Sequence, residues 1–593
     1  MMEPFERIDI QELPLSSPFF RRKVEVFLGS NGLRLEELDL YMAILDPEGR
    51  ILAGGGLYRD VLKCIAVSES ARSAGCSVPL ISRLVATAAE RGYTNLKVFT
   101  KPENRVVFES LGFRVLAEAP KAVLMENGRG LDSYCSYLRS FRRNGRCGVV
   151  VLNANPFTLG HQYLVTKALE QVDTLYVIPV RENGSRFSYE ERLDMIRTGT
   201  ARFGDRVIVL EGSAYCISAA TFPTYFLKDL SDASETQIRL DLDLFGRHLA
   251  PALGATVRFV GTEPSDLLTA RYNRLMKDCL PGYGLGLREI PRLKGDSGRF
   301  VKATLVRSYL DQGSFSKAAV LTPASTHPYL LSALAERALL EELDAPLKPG
   351  LVGPDSTGAH ADMDYPLMRR SIASLRPYFP KMAMAGSPDG LRLLGIEAEK
   401  AMLEATQGVN THRGAIFALG LALYAAGRGM DTAGHKLTLQ DQMSQTARAI
   451  CDISRNDGRQ HPAASTHGSE AVRKYGVKGA REMALDGYKD LFSCWQPYYH
   501  RIRKQPYALQ RTLVCLIAAL DDTCLIHRVG FERAEALRGE ASAVFGEIAR
   551  SEDAVRTKQR LETMCGHYAA ENASPGGAAD MLSLTLFIDS ILS

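Results

Sequence analysis

The residues best suited to chemistry fall into three groups. The first is Thr158-Leu159-Gly160-His161, where a buried apolar run, Val149–Asn153, gives way to a polar loop and then an amphipathic stretch. A helix N terminus offers free N–H groups and partial positive charge, a combination that suits phosphate. Gly160 would let a nucleotide approach the backbone closely, and His161 would point at the phosphates and stabilise a departing pyrophosphate. The second group is a set of polar islands in the last third of the chain. They are Lys348-Pro349-Gly350-Leu351-Val352, Gly358-Ala359-His360-Ala361-Asp362-Met363-Asp364, Asn410-Thr411-His412-Arg413-Gly414, Asp521-Asp522-Thr523 with His527 and Arg528, and Ser574-Pro575-Gly576-Gly577 with Asp580. Acids on an apolar helical scaffold suit Mg²⁺ held through carboxylates and substrate phosphates. Asp362, Asp364, Asp521, Asp522 and Asp580 are therefore candidates for metal binding or acid/base work. His360, His412, Arg413, His527 and Arg528 are candidates for contact with a polyphosphate. The third group is the loop Arg72-Ser73-Ala74-Gly75-Cys76-Ser77, which follows one apolar run and precedes another.

Three segments must position these groups. In residues 1–129, Tyr41–Leu45, Ile51–Leu57, Val61–Val67, Asn95–Thr100 and Phe113–Ala117 read as strands, with a helix over Pro79–Arg91 whose stripe is Leu80, Leu84 and Ala88. This predicts an α+β unit. In residues 130–318, apolar strands at Val149–Asn153, Thr174–Val180, Arg206–Leu210 and Thr256–Val260 alternate with amphipathic stretches, which predicts an α/β Rossmann-like parallel sheet with right-handed crossovers. Such a sheet binds ligands beyond the carboxyl ends of its strands. In residues 319–593 strand-like runs fade. Helical stripes take over at Leu331, Leu334 and Ala338, at Leu513, Leu516, Ile517 and Leu520, and at Met581, Leu584 and Ile588. A mainly α-helical domain is expected. Disorder is expected only at the termini and at junctions near Arg129–Arg146 and Ser314–Pro328.

Composition narrows the classes. Of 593 residues, 46% are hydrophobic and 24% charged, as in an ordinary globular protein. The 72 basic and 68 acidic residues leave a net charge of +4, which calls for neither nucleic acid nor an anionic membrane as partner. No apolar run is long enough to span a bilayer. The N-terminal stretch has no basic region followed by an apolar core, so no secretory signal is expected. The eleven cysteines form no CxxC pair, which points to a reducing, cytoplasmic compartment.

Against this reading, residues 148–169, GVVVLNANPFTLGHQYLVTKAL, resemble the [HT]xGH signature of the nucleotidyltransferase superfamily, whose members attack the α-phosphate of a nucleoside triphosphate and release pyrophosphate. With YCISAATFPTYFLK (215–228) and FVGTEPSDLLTARYN (259–273), the match is similar to the citrate lyase ligase family over essentially all of 130–312. That resemblance implies ATP-dependent formation of acetyl-adenylate from acetate, then transfer of the acetyl group to a thiol on the acyl-carrier subunit of citrate lyase. It implies nucleotide-site roles for Thr158, Gly160 and His161, for Gly261, Thr262, Glu263 and Pro264, and for Lys302, Thr304 and Arg307. The last three lie in a motif reading VKATLVR, where Lys302 stands in place of a family serine. Ser218, Tyr225 and Lys228 either border the acyl site or only pack.

The Arg72–Ser77 loop resembles the RxxGx[GA] turn of the GNAT acetyltransferase fold, with Ser77 replacing the usual Gly or Ala, and Asn104–Phe113 resembles a later helix of that fold. The resemblance implies a CoA-arm cleft using Arg72, Gly75 and Ser77, or a domain that only docks the carrier. The islands of residues 324–593 resemble the triphosphoribosyl-dephospho-CoA synthase family, which joins the ribose triphosphate of ATP to dephospho-CoA and expels adenine. Asp521 is shorter than the acidic residue the family usually has before its DT pair. Glu482, in an ARGEA-like segment, is shifted by one position, which turns it by roughly 100° on a helix. Together the resemblances imply a bifunctional enzyme serving citrate lyase. Alternatives are service of the last domain to malonate decarboxylase, or a regulatory nucleotide-binding protein with an inactive ligase site.

Overall fold

In the computed structural model the described residues are 9–181, 185–216, 230–263, 267–295, 298–429, 438–458 and 467–593. The chain divides into two compact units, Met1–Val301 and Lys302–Ser593.

The first unit holds two sheets. One orders its strands β1-β2-β3-β4-β5-β7-β6, with β1 Ile10–Glu12, β2 Leu40–Leu45, β3 Ile51–Tyr58, β4 Val61–Val67, β5 Leu96–Thr100, β6 Arg114–Ala119 and β7 Ala122–Asn127. All neighbours run antiparallel except β4 and β5, which are parallel and pair only at Val61↔Lys97 and Leu62↔Val98. The helix Ser77–Glu90 buries Leu80, Ile81, Leu84 and Ala88 against this sheet, as the apolar stripe requires.

The other sheet is wholly parallel, in the order β10-β9-β8-β11-β12, with β8 Cys147–Leu152, β9 Thr174–Pro179, β10 Val207–Val209, β11 Ala255–Gly261 and β12 Gly286–Ile290. The order reverses between β8 and β11, so the loops leaving those two strands open the crevice where such sheets receive ligands. The edge strand β12 went unread in the sequence because its five residues, Gly-Leu-Arg-Glu-Ile, carry neither an apolar run nor a polar–apolar alternation.

The sheets meet through buried polar groups. Glu126, fully buried on β7, accepts hydrogen bonds from the Tyr215 hydroxyl, from Arg114 Nη2 (3.3 Å) and from the Leu131 N–H (3.3 Å). Lys97 pairs with Asp60, and its ammonium lies 5.3 Å from the Tyr215 ring centre. The Glu118 N–H donates to Asp243 (2.8 Å) on the helix Leu230–Leu244. Tyr215→Phe removes one donor from a buried carboxylate and should cost about 1.5–3 kcal/mol. Urea unfolding of the full chain checks this, and a loss under about 0.5 kcal/mol would show that water reaches Glu126.

Among its described residues the second unit contains helices and no strand. The helix Arg413–Gly429 is apolar almost all round and accordingly buried, packed by Phe379–Ala383, Leu439–Gly458 and Gly576–Leu592. Two segments expected to be disordered junctions contain helices instead. Gly130–Ser140 buries the stripe Leu131, Cys135 and Leu138, and Phe315–Ala319 buries Phe315 and Ala318. Among the described residues no helix is long and apolar enough to cross a membrane.

Candidate active sites

In the first unit the loop leaving β8 is held by Arg192, whose guanidinium is fully buried. It donates to the carbonyls of Asn153 (2.8 Å) and Val180 (2.9 Å) and to Asn153 Oδ1 (2.8 Å). The loop turns through a cis Asn155–Pro156 peptide and buries Phe157. Thr158 then caps the helix Leu159–Leu169. The His161 N–H donates to Thr158 Oγ1 (3.4 Å), and the Thr158 N–H donates to His161 Nδ1 (3.0 Å). Because Nδ1 accepts that backbone proton, the neutral ring carries its own proton on Nε2. Burial, reinforced by the Arg292 charge, pulls the imidazole from its ordinary 6.5 down to about 4. The ring is therefore a neutral donor at physiological pH, stacked on Phe157 at 5.7 Å. A side chain at Gly160 would stand 3.2 Å from the Val301 carbonyl, so the residue also serves close packing of the helix start.

Gly261 ends β11, with Thr262 and Glu263 directly after it, in the loop beside the one that carries His161. Arg292, just past β12, binds this loop. Its Nε donates to the Thr262 carbonyl (2.8 Å), its backbone N–H donates to Thr262 Oγ1 (3.3 Å), and its guanidinium pairs with buried Glu263. Sequence reasoning missed Arg292 because it is recruited through an unread strand. Pro264, Ser218, Tyr225 and Lys228 lie outside the described residues. Lys302, Thr304 and Arg307 belong to the second unit, where Lys302 immediately precedes the helix Ala303–Asp311 without a side-chain cap, Thr304 is exposed and Arg307 is half-buried. In the Arg72–Ser77 loop, Arg72 and Gly75 are exposed, Gly75 takes the left-handed conformation (φ 68°), and Ser77 begins the helix Ser77–Glu90.

The second unit gathers residues from all five of its islands around one cavity of about 980 Å³. Its floor is acidic. Asp522 caps the helix Thr523–Val529 by accepting from Cys524 N (2.9 Å) and Leu525 N (3.1 Å) through one oxygen. The other oxygen accepts from Ala578 N (2.9 Å) at the start of Gly576–Leu592. Burial raises the Asp522 carboxyl despite these donors. Asp580 lies against Gly414 and accepts from the Ala415 N–H. Burial and the nearby charges of Asp522 and Glu342 hold it well above the usual carboxylate range. Glu342, not read from the sequence, pairs with the buried ammonium of Lys348 (2.7 Å).

The walls carry the basic groups. Arg528 donates to the Ala359 carbonyl (2.9 Å) and to His360 Nδ1 (2.8 Å), which leaves His360 Nε2 to donate to Ser574 Oγ (2.8 Å). Burial and the Arg528 charge lower the His360 pKa, so it enters as a neutral link between two islands. His412 is buried, its Nδ1 is 2.7 Å from Ser371 Oγ, and its Nε2 has no protein partner. Burial, then the Lys348 charge, lowers it to about 4. Arg413 pairs with Glu399, Asp521 pairs with Arg538, and His527 lines the cavity.

Asp362 and Asp364 stand apart from the lining. The Asp362 side chain is 59% exposed, 3.7 Å from His360, while Asp364 caps the helix Tyr365–Leu375 by accepting from Leu367 N (2.8 Å). Glu482 does line the cavity despite its shifted register. It sits in the first turn of Ala480–Leu485 and folds back to accept from Gly479 N (3.0 Å), so the cap sets its direction. Among the described residues no three His, Cys, Asp or Glu side chains form a ready metal cage. Mg²⁺ commonly uses one or two carboxylates with phosphates completing its shell, and the crowded Asp522 and Asp580 fit that pattern.

A family model described as citrate lyase ligase C-terminal domain matches residues 147–330, and one described as ATP:dephospho-CoA triphosphoribosyl transferase matches residues 328–593. A citrate (pro-3S)-lyase ligase of Haemophilus influenzae is 39% identical over 335 residues, which are 55% of this chain and 98% of that protein. The protein of the same name from Escherichia coli K12 is 39% identical over 53% of this chain and 90% of its own length. A Pseudomonas syringae pv. tomato protein bearing the name probable 2-(5''-triphosphoribosyl)-3'-dephosphocoenzyme-A synthase is 39% identical over 274 residues, 44% of this chain and 91% of its own.

Proposed function

Because the chain belongs to the citrate lyase ligase family in its first half and to the triphosphoribosyl-dephospho-CoA synthase family in its second, we propose that it is a bifunctional enzyme maintaining citrate lyase. It is both an acid–thiol ligase and a transferase. What carries the reading is that relatives match each half over nearly their whole length, and each matched stretch holds its own polar site. The working division is 1–129, 130–318 and 319–593.

In the ligase reaction an acetate oxygen attacks the α-phosphorus of ATP and the bond to the β-phosphate breaks, releasing pyrophosphate. The carrier thiol then attacks the acetyl carbonyl and AMP leaves. The N terminus of Leu159–Leu169 and the His161 Nε2–H donate to phosphate oxygens, and Arg292 adds positive charge beside them. Thr158 holds the imidazole in the donor tautomer. Gly261, Thr262 and Glu263 shape the facing loop. Arg72, Gly75 and the Ser77 turn receive the CoA-like arm of the citrate lyase acyl-carrier subunit.

In the transferase reaction a ribose hydroxyl of dephospho-CoA attacks the anomeric carbon of ATP. The carbon–nitrogen bond to adenine breaks, and adenine takes up the proton that the hydroxyl loses. Mg²⁺, held by Asp522 and Asp580, would offset triphosphate charge. Acids on the floor favour the cationic transition state, and Arg413, Arg528 and His527 face the phosphates. Incubation of the full chain with ATP, Mg²⁺ and dephospho-CoA should yield adenine and a triphosphoribosyl product in equal amounts. With ATP, acetate and the thiol form of the carrier it should yield AMP and pyrophosphate. Absence of either product pair from folded protein would remove that half of the reading.

A further inference from the structure

The transferase reaction must take a proton from the attacking hydroxyl, and none of the residues assigned to it above does so. One buried titratable group on the cavity wall has no part in that reaction so far. His412 is 4% exposed and lines the cavity, as does half-buried Thr411 before it. The His412 backbone N–H donates to Met402 Sδ (3.2 Å), which fixes the root of the side chain just before the helix Arg413–Gly429.

The two ring nitrogens are unlike. Nδ1 lies 2.7 Å from Ser371 Oγ, and that oxygen lies 2.6 Å from Thr411 Oγ1. Nε2 is buried and has no protein partner. Leaving such a nitrogen unbonded costs about 1–3 kcal/mol, which a substrate hydroxyl would relieve. The three side chains therefore form a continuous hydrogen-bonded row from an orphaned nitrogen to a hydroxyl on the cavity wall. The row has two orientations. In one, Nδ1–H donates to Ser371, Ser371 donates to Thr411, and Nε2 bears a lone pair. In the other, Thr411 donates to Ser371, Ser371 donates to Nδ1, and Nε2 bears the proton.

We infer that His412 is the general base of the transferase reaction and that Ser371 and Thr411 carry the displaced proton back to the cavity. This deepens the proposed transferase reaction and rests on it. As the ribose oxygen of dephospho-CoA bonds to the anomeric carbon, its proton passes to Nε2. The Nδ1 proton moves to Ser371, the Ser371 proton to Thr411, and the Thr411 proton to the cavity. The carbon–nitrogen bond breaks with its electron pair on adenine, which takes up one proton. The row passes from its first orientation to its second, and the ring ends the step neutral. Neutrality matters because burial and the Lys348 ammonium disfavour an imidazolium here. A plain phosphate contact calls for a cation instead, and Arg413 beside it supplies one.

Two substitutions separate proton transfer from hydrogen bonding. His412→Asn keeps an amide near the Nδ1 position and removes Nε2. His412→Gln carries an amide to the Nε2 position, where it can bond but not exchange a proton. Both should lower kcat for adenine release by about 10²–10³-fold and leave the KM for ATP and for dephospho-CoA within about twofold. Ser371→Ala deletes only a hydroxyl, so it keeps the fold even if a change at His412 does not. It breaks the row and should lower kcat about tenfold. In mixed H₂O and D₂O, the single-turnover rate of adenine release should curve with deuterium fraction in wild type and become linear in Ser371→Ala, as several moving protons reduce to one. Wild-type kcat in His412→Gln would leave only a hydrogen bond and overturn the inference. A raised KM with kcat retained would make His412 a binding contact and overturn it too, as would an unaffected Ser371→Ala. No adenine from folded wild type would overturn the underlying transferase reading, and this inference with it.

Discussion

Replacing His161 by alanine should lower acetate-dependent pyrophosphate release by about 10²–10³-fold, the usual effect of removing one preorganised donor from developing charge. Adenine release by the same preparation should not change. The expectation follows from the reciprocal hydrogen bonds with Thr158, which leave the Nε2–H as the ring's outward donor. His161→Gln restores an amide donor at a similar reach but not the acceptor for the Thr158 N–H, so partial activity is expected. The pH dependence has a defined sign. A pKa near 4 keeps the free enzyme's ring neutral from pH 6 to 8, so the imidazole should add no inflection to kcat/KM there. Folding follows the same rule. A histidine whose pKa is depressed from 6.5 in the folded state loses its stabilising contribution as pH falls from about 6.5 through 4, and His412 shares that window. An unchanged rate in His161→Ala would remove the residue from the chemistry.

The second large effect is expected at Asp580. Asparagine keeps an oxygen for the Ala415 N–H and nearly the same volume beside Gly414, yet removes the charge. Adenine release should fall by about 10²–10³-fold while acetate-dependent ligation is retained. Stability should move the opposite way. Burial and the charges of Asp522 and Glu342 raise the folded carboxyl above its ordinary 3.8. Its favourable contribution is therefore present at acid pH and lost as pH rises through the raised value. Above that raised value the carboxylate burdens the substrate-free protein, so there Asp580→Asn should match or exceed the wild-type Tm. A variant that keeps its adenine release, or that melts early, would mark Asp580 as a packing residue.

The two sites differ in how far they could be read from sequence. His161 was legible because strand, turn, cap and helix all lie within one short stretch. Their hydrogen bonds are local, so residue types at fixed spacing carry them. Arg292 was not legible, since it reaches Thr262 and Glu263 only after β12 joins β11. The islands of the second unit read as polar and charged, and the cavity gathers His360, His412, Arg413, Asp521, Asp522, His527, Arg528 and Asp580. What the islands lacked was direction. A short acid before a helix reads alike whether it faces a ligand or caps the helix, and Asp364 is engaged as a cap. Glu482 illustrates the reverse. Ideal helical phase turned it away, but a first-turn carboxylate follows its cap. Glu342 was hidden because it is one of four acids in the helix His327–Asp344 and no motif singles it out, and its importance depends on Lys348 and Asp580 arriving from elsewhere.

The double cap by Asp522 also constrains the order of assembly. One carboxylate ties together two helix starts, and its partner amide at Ala578 lies 56 residues further along the chain. Closing a loop of that length costs entropy before any bond rewards it. The individual helices form from local contacts, whereas the cavity floor exists only once both ends have met. A partly folded chain that has its helices but has not brought these two ends together has no floor for its cavity.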